Sequence, residues 1–177
     1  MSKLLVVVDV QNDFVTGSLG SEQAQAVLPN IIKKVKANHA EISNVTIFTQ
    51  DDHDKGYLET DEGRALPIPH CIYGTPGQRL VHELDCMTED IYAVVHKSRF
   101  AFNSWKQWLP PYITEIEVIG LVTDICVIAN AIMLKTAAPE GVKVVVDASC
   151  CAGTSRAMHD KALDIMQGLQ IEVINRD

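Results

Sequence analysis

At 177 residues the chain is long enough to bury a full hydrophobic core as one domain, without disulfides or metals as staples. Its 47% apolar and 21% charged residues are those of an ordinary globular protein. A formal net charge of −8 argues against nucleic acid or an anionic membrane surface as the main partner, since both need clustered Lys and Arg.

The opening "MSKLLVVVDVQNDF" has one lysine and a short apolar run broken by Asp9, which does not fit a secretory leader. No stretch approaches the roughly 20 apolar residues of a membrane span. The five cysteines follow neither zinc-ribbon spacing nor a disulfide framework. A cytoplasmic protein with reduced thiols is expected.

Short β-branched runs alternate with helical patterns along the chain. Strands are predicted at 3–10, 44–50, 91–97, 116–122, 142–148 and 171–176. Between them the apolar spacing predicts helices at 25–40, 77–84, 104–113, 125–140 and 155–169, with Pro110 and Pro111 ending the third. Strands so uniformly apolar are buried on both faces, so a three-layer α/β/α domain with a six-stranded, mainly parallel sheet is expected over 1–177. The segment 51–76 is long and irregular, and loops of that length in compact domains are usually functional.

In open parallel sheets, ligands sit outside the carboxyl ends of the strands. There the chain offers Asp9 after the first strand, Asp51 and His53 after the second, Lys97 after the third and Cys126 after the fourth. A cysteine at a strand-to-helix junction can be a packing residue or a nucleophile, because a helix N-terminus favours the thiolate. An acid, a lysine and a thiol on one rim move Cys126 toward chemistry. Cys71, Cys86, Cys150 and Cys151 read as packing or structural thiols, and His39, His82, His96 and His159 as surface or internally satisfied histidines.

"VVDVQNDF" (7–14), "VHKSRFAF" (95–102), "GLVTDICV" (120–127), "DDH" (51–53) and "HCIYGTPG" (70–77) together resemble the motifs of the isochorismatase-like cysteine hydrolases, and most closely those of nicotinamidases. The resemblance implies a triad in which Cys126 attacks a carbonyl, Asp9 takes its proton and Lys97 holds the charge of the pair. It implies an oxyanion hole from the N–H groups of Val122 and Cys126 and a cis peptide between Leu121 and Val122. It further implies a divalent metal on Asp51, His53 and His70, one that binds a ring nitrogen of the substrate. Two imidazoles and a carboxylate suit Zn²⁺ first, with Mn²⁺ or Fe²⁺ as alternatives. Glu59 and Glu62 lie between these ligands, but their spacing leaves both out of the expected set.

Nicotinamidases commonly carry a stacking aromatic three residues before the second metal histidine, and Pro67 stands at that position. Phe14, Phe100 and Phe102 are then the expected substrate contacts. The implied reaction is hydrolysis of nicotinamide to nicotinate and ammonia through a thioester. The alternatives are another small amide of carbamoyl, ureido or maleamate type, or a non-catalytic binding protein of the same fold. A small-molecule amide is the expected partner, together with a second copy of the chain through the apolar helix at 125–138.

Overall fold

The computed structural model describes residues 2–176. Its first strand, β1 (Lys3–Val8), shows why the sheet is covered on both sides. Successive side chains of a strand point to opposite faces. Leu4, Val6 and Val8 enter one apolar cluster with Ile47, Val118 and Val146. Leu5 and Val7 enter another with Phe48, Ile119 and Leu121. These five side chains of β1 are fully buried.

The remaining strands are β2 (Val45–Asp51), β3 (Ala93–Lys97), β4 (Glu115–Leu121), β5 (Lys143–Ala152) and β6 (Glu172–Ile174). They pair in the order β3-β2-β1-β4-β5-β6, and every neighbouring pair is parallel. After α1 (Asn12–Val15), the long α2 (Glu22–His39) lays Ala24, Ile31 and Val35 on one face of the sheet. α3 (Asp61–Ala65) and α4 (His82–Asp85) are short, whereas α5 (Ile128–Ala137) and α6 (Arg156–Gly168) cover the other face with Ala131, Leu134, Leu163 and Met166. The layers are α/β/α, as expected.

The differences from expectation are local. α2 starts at Glu22 because Ser21 caps it, its Oγ accepting the Ala24 N–H at 3.1 Å. The helix expected over 77–84 is reduced to α4, because the Gly77 and Arg79 carbonyls accept from the Asp13 and Asn12 N–H groups at 3.0 and 2.9 Å. Carbonyls held across the fold in this way are not free for a local helix. The helix expected over 104–113 is one 3₁₀ turn, Trp105–Gln107, cut short ahead of Pro110–Pro111. The one expected over 125–140 begins as a π turn, Thr123–Val127, and ends at Ala137, since Ala138 precedes a proline and is extended. β5 continues to Ala152, so Cys150 and Cys151 pack into opposite faces of the sheet. Cys86, expected to pack, is exposed at the end of α4.

The strand order reverses between β1 and β4, and the crevice at their carboxyl ends is where this topology places ligands. The two strands approach closely there. A Cβ on Gly120, which has φ +121°, would lie 2.2 Å from the Val8 carbonyl oxygen.

Candidate active site

Asp9 follows β1 directly, fully buried and with φ 49°, a left-handed conformation that costs a non-glycine residue about 1–3 kcal/mol. The neighbouring strand holds it there. Its N–H donates to the Thr49 carbonyl at 3.2 Å, and the Thr49 hydroxyl donates to Asp9 Oδ1 at 2.5 Å. Gln11 bridges the same two strand ends, its side-chain carbonyl accepting from the Asp51 N–H and its amide donating to the Asp51 carbonyl, both at 2.8 Å.

Lys97 closes β3 in register with Asp51. Because β2 lies between β3 and β1, its long stem must cross a strand end to reach Asp9. Nζ stands 2.6 Å from Asp9 Oδ2, 3.3 Å from Asp51 Oδ1 and 3.8 Å from Cys126 Sγ. Cys126 itself sits in the π turn that joins β4 to α5, behind the Leu121–Val122 peptide, which is cis. π turns inserted at helix starts often re-aim a functional side chain. The structure thus brings Asp9, Lys97 and Cys126 together from three strand ends.

Burial dominates the electrostatics. It pushes the Asp9 carboxyl up, with Asp51 adding to the rise and Lys97 opposing it. It pushes the Cys126 thiol up as well, again against the pull of Lys97. For Lys97 burial acts downward, but Asp9, Cys126 and Asp51 outweigh it and keep the ammonium charged. The three groups therefore share protons as one unit rather than titrating singly.

Cys126 lines a cavity of about 420 Å³ with Val122, Phe14, Leu66, Phe100 and His70. Phe100 forms part of its rim, whereas Phe102 turns away to pack against Trp105 and Trp108, with ring centroids 5.2 and 6.5 Å apart. Asn130 explains that turn. Fully buried one helical turn beyond Cys126, it accepts from the Phe102 N–H and the Trp105 indole and donates to the Cys126 and Phe100 carbonyls. Phe102 is thus a packing residue, and Leu66, beside Pro67, supplies a cavity wall that was not anticipated.

Beside the cysteine, the donor atoms of Asp51, His53, Glu62 and His70 all lie within 4.8 Å of one another. Glu62, left out of the expected ligand set, belongs to this group, while the exposed Glu59 offers its carbonyl to Arg64. Thr60 starts α3 by capping the Gly63 N–H at 2.9 Å, and that turn carries Glu62 inward. A Cβ on Gly63 would lie 2.0 Å from the Tyr57 carbonyl oxygen, so a glycine is required for the turn to sit so close.

The group fits a divalent cation. The Ile68 carbonyl can only accept, so at 2.9 Å it fixes the His70 proton on Nδ1. The lone pair of Nε2 then faces Asp51 Oδ2 at 3.6 Å and Glu62 Oε1 at 3.9 Å. Acceptors facing acceptors in a buried site call for positive charge between them. Burial would raise the Asp51 carboxyl, but the hydrogen bond from His53 and the charge of Lys97 hold it well below the usual range, ready to ligate.

The remaining candidates lie apart from the site. His39, His82 and His96 are exposed, and half-buried His159 is paired through Nδ1 with the Thr123 hydroxyl at 2.8 Å. Cys71 is buried, its N–H donating to Asp13 Oδ2 at 2.8 Å.

The family model for the isochorismatase domain matches residues 3–177. The nicotinamidase/pyrazinamidase of Mycobacterium tuberculosis is 30% identical over 188 positions, covering 97% of this chain and 98% of that protein. Among solved structures, the nicotinamidase/pyrazinamidase PncA of Bacillus subtilis superposes with a TM-score of 0.84 at 26% identity, over 98% of this chain and 99% of its own. The Pyrococcus horikoshii pyrazinamidase, solved in complex with zinc, shares the fold with a TM-score of 0.83 at 23% identity, over 98% and 99% of the two chains.

Proposed function

The chain belongs to the isochorismatase domain family, and we propose that it is a metal-containing cysteine amidohydrolase that converts nicotinamide and water to nicotinate and ammonia. One observation carries the reading. A single ammonium stands 2.6 Å from a buried carboxylate and 3.8 Å from a thiol on the wall of a cavity sized for a small molecule.

The reaction begins when the Cys126 proton passes to the Asp9 carboxylate, with Lys97 keeping the charges balanced. Sulfur attacks the amide carbon, a C–S bond forms, and the carbonyl π pair moves onto oxygen. Backbone N–H groups of Val122 and Cys126, fixed by the turn that joins β4 to α5, meet that oxyanion without reorganising. The C–N bond breaks as nitrogen takes the proton from Asp9, releasing ammonia and leaving a thioester. Water then attacks, Asp9 takes its proton, the C–S bond breaks, and sulfur recovers its hydrogen as the acid departs.

Asp51, His53, Glu62 and His70 would hold a divalent cation, zinc first on ligand grounds, which positions a substrate lone pair and withdraws charge. Phe14 and Phe100 flank the space above Cys126. Leu66 and Pro67, in place of a stacking aromatic, favour a second reading in which another small amide is the better substrate. Ammonia release from a panel of amides, with and without a chelator, separates the two. Turnover of another amide with none of nicotinamide would leave the second reading alone, and no turnover of any amide would remove both.

A further inference from the structure

The four donor side chains form a partition between two cavities. Asp51, Glu62 and His70 face the cavity of Cys126, whose other walls are largely apolar: Phe14, Leu66, Phe100 and Val122. His53 and Glu62 face a second cavity of about 410 Å³ on the other side, bounded by Asp52, Asp54, Ser98 and Arg99. Glu62 lines both. Nothing in the hydrolytic cycle uses the second cavity.

We propose that this second cavity is the path by which a divalent cation reaches and leaves the cluster, separate from the path of the amide. The inference rests on the reading of the cluster as a metal site. A hydrated dication gives up its waters stepwise, exchanging each for a protein oxygen. The polar cavity offers such oxygens in sequence. Asp54 is exposed, Asp52 is half-buried, and Glu62 lies at the inner end with His53. Three carboxylates against the single guanidinium of Arg99 leave a negative field that draws cations inward. The cavity of Cys126 would instead ask the ion to pass largely aromatic and aliphatic walls, with only the neutral Ser21 and Thr154 as polar lining before the cluster, a costlier desolvation. The consequence is functional. Metal exchange continues while substrate or thioester fills the other cavity.

The test measures metal, not turnover. In a Cys86→Ser background, which removes the exposed thiol, Cys126 is alkylated with an aromatic haloacetamide to fill its cavity. Release of bound Zn²⁺ to a chromogenic chelator is followed by stopped flow. The alkylated protein is expected to release metal within about twofold of the unmodified rate. Ser98→Trp, which fills the polar cavity, should slow both uptake and release by about tenfold or more at unchanged equilibrium affinity. The double variant Asp52→Asn/Asp54→Asn leaves the cavity open and should slow uptake severalfold while flattening its dependence on salt. Slowing on alkylation of about tenfold, or no slowing in either variant, overturns the path while leaving the metal site intact. A wild-type protein that takes up no metal removes the site itself, and the path with it.

Discussion

Lys97→Met replaces a buried ammonium with an apolar side chain of similar length, so it removes charge with little change of volume. At an effective dielectric of about 20, charges 2.6 and 3.3 Å apart attract by about 6 and 5 kcal/mol, for Asp9 and Asp51 respectively. The desolvation of the lysine itself offsets much of this. The net loss expected for removing one partner of a buried pair is about 3–5 kcal/mol. Asp9→Asn/Lys97→Met, which also removes the stranded carboxylate, should lose less than the single variant despite carrying one more change. The pH dependence has a definite sign. Without the ammonium, burial and Asp51 raise the Asp9 carboxyl against only the Thr49 hydrogen bond, so the folded state binds its proton more tightly than the unfolded chain. The deficit of the single variant is therefore full at alkaline pH and shrinks as pH falls through the raised folded value. Urea unfolding of wild type, both single variants and the double, at mildly alkaline and mildly acidic pH, measures all of this. A single variant as stable as wild type, or a double whose loss equals the sum of the singles, would refute the reasoning.

Cys126→Ala should lower turnover by about 10⁴-fold or more while shifting unfolding stability by only about 1 kcal/mol, and turnover near wild type would remove the nucleophile assignment. Glu62→Gln keeps the shape of the side chain but not its charge, so Zn²⁺ affinity should fall by about tenfold or more in chelator competition. Unchanged affinity there would exclude Glu62 from the shell. Gly120→Ala places a Cβ 2.2 Å from the Val8 carbonyl oxygen at φ +121°, for an expected loss of about 3 kcal/mol and a fall of about 6–12 °C in thermal midpoint. Leu66→Trp restores an aromatic face to the cavity, which at about 0.5–1.5 kcal/mol should lower KM for nicotinamide about two- to tenfold; a KM that rises would show that the wall lies elsewhere.

How much was legible depended on whether a residue acts through its own strand or through distant neighbours. The apolar run of β1 announces two buried faces, because both of its side-chain sets from Leu4 to Val8 are hydrophobic, and a parallel sheet follows from that. Asp9, Asp51, Lys97 and Cys126 could be picked out because each stands at a strand end, where this architecture gathers polar groups. Glu62 is weighed with Glu59 and left out of the expected set, because its position depends on a short turn, capped by Thr60 and seated against the Tyr57 carbonyl, whose inward direction no local pattern encodes. Phe102 was assigned to the cavity because it lies close to Lys97 in sequence, yet Asn130 on α5 pulls its backbone toward Trp105 instead.

The chain's local chemistry therefore determined the layers, the strand ends and the residue types capable of attack, proton transfer and metal binding. Tertiary packing alone decided that Lys97 crosses β2 to reach Asp9, that Glu62 joins two histidines and an aspartate, and that their cluster divides an apolar cavity from a polar one. The physical reason is one of range. Periodicity and strand ends are written within a few residues, whereas each of those meetings joins side chains from separate segments, and only the packed sheet sets their separation.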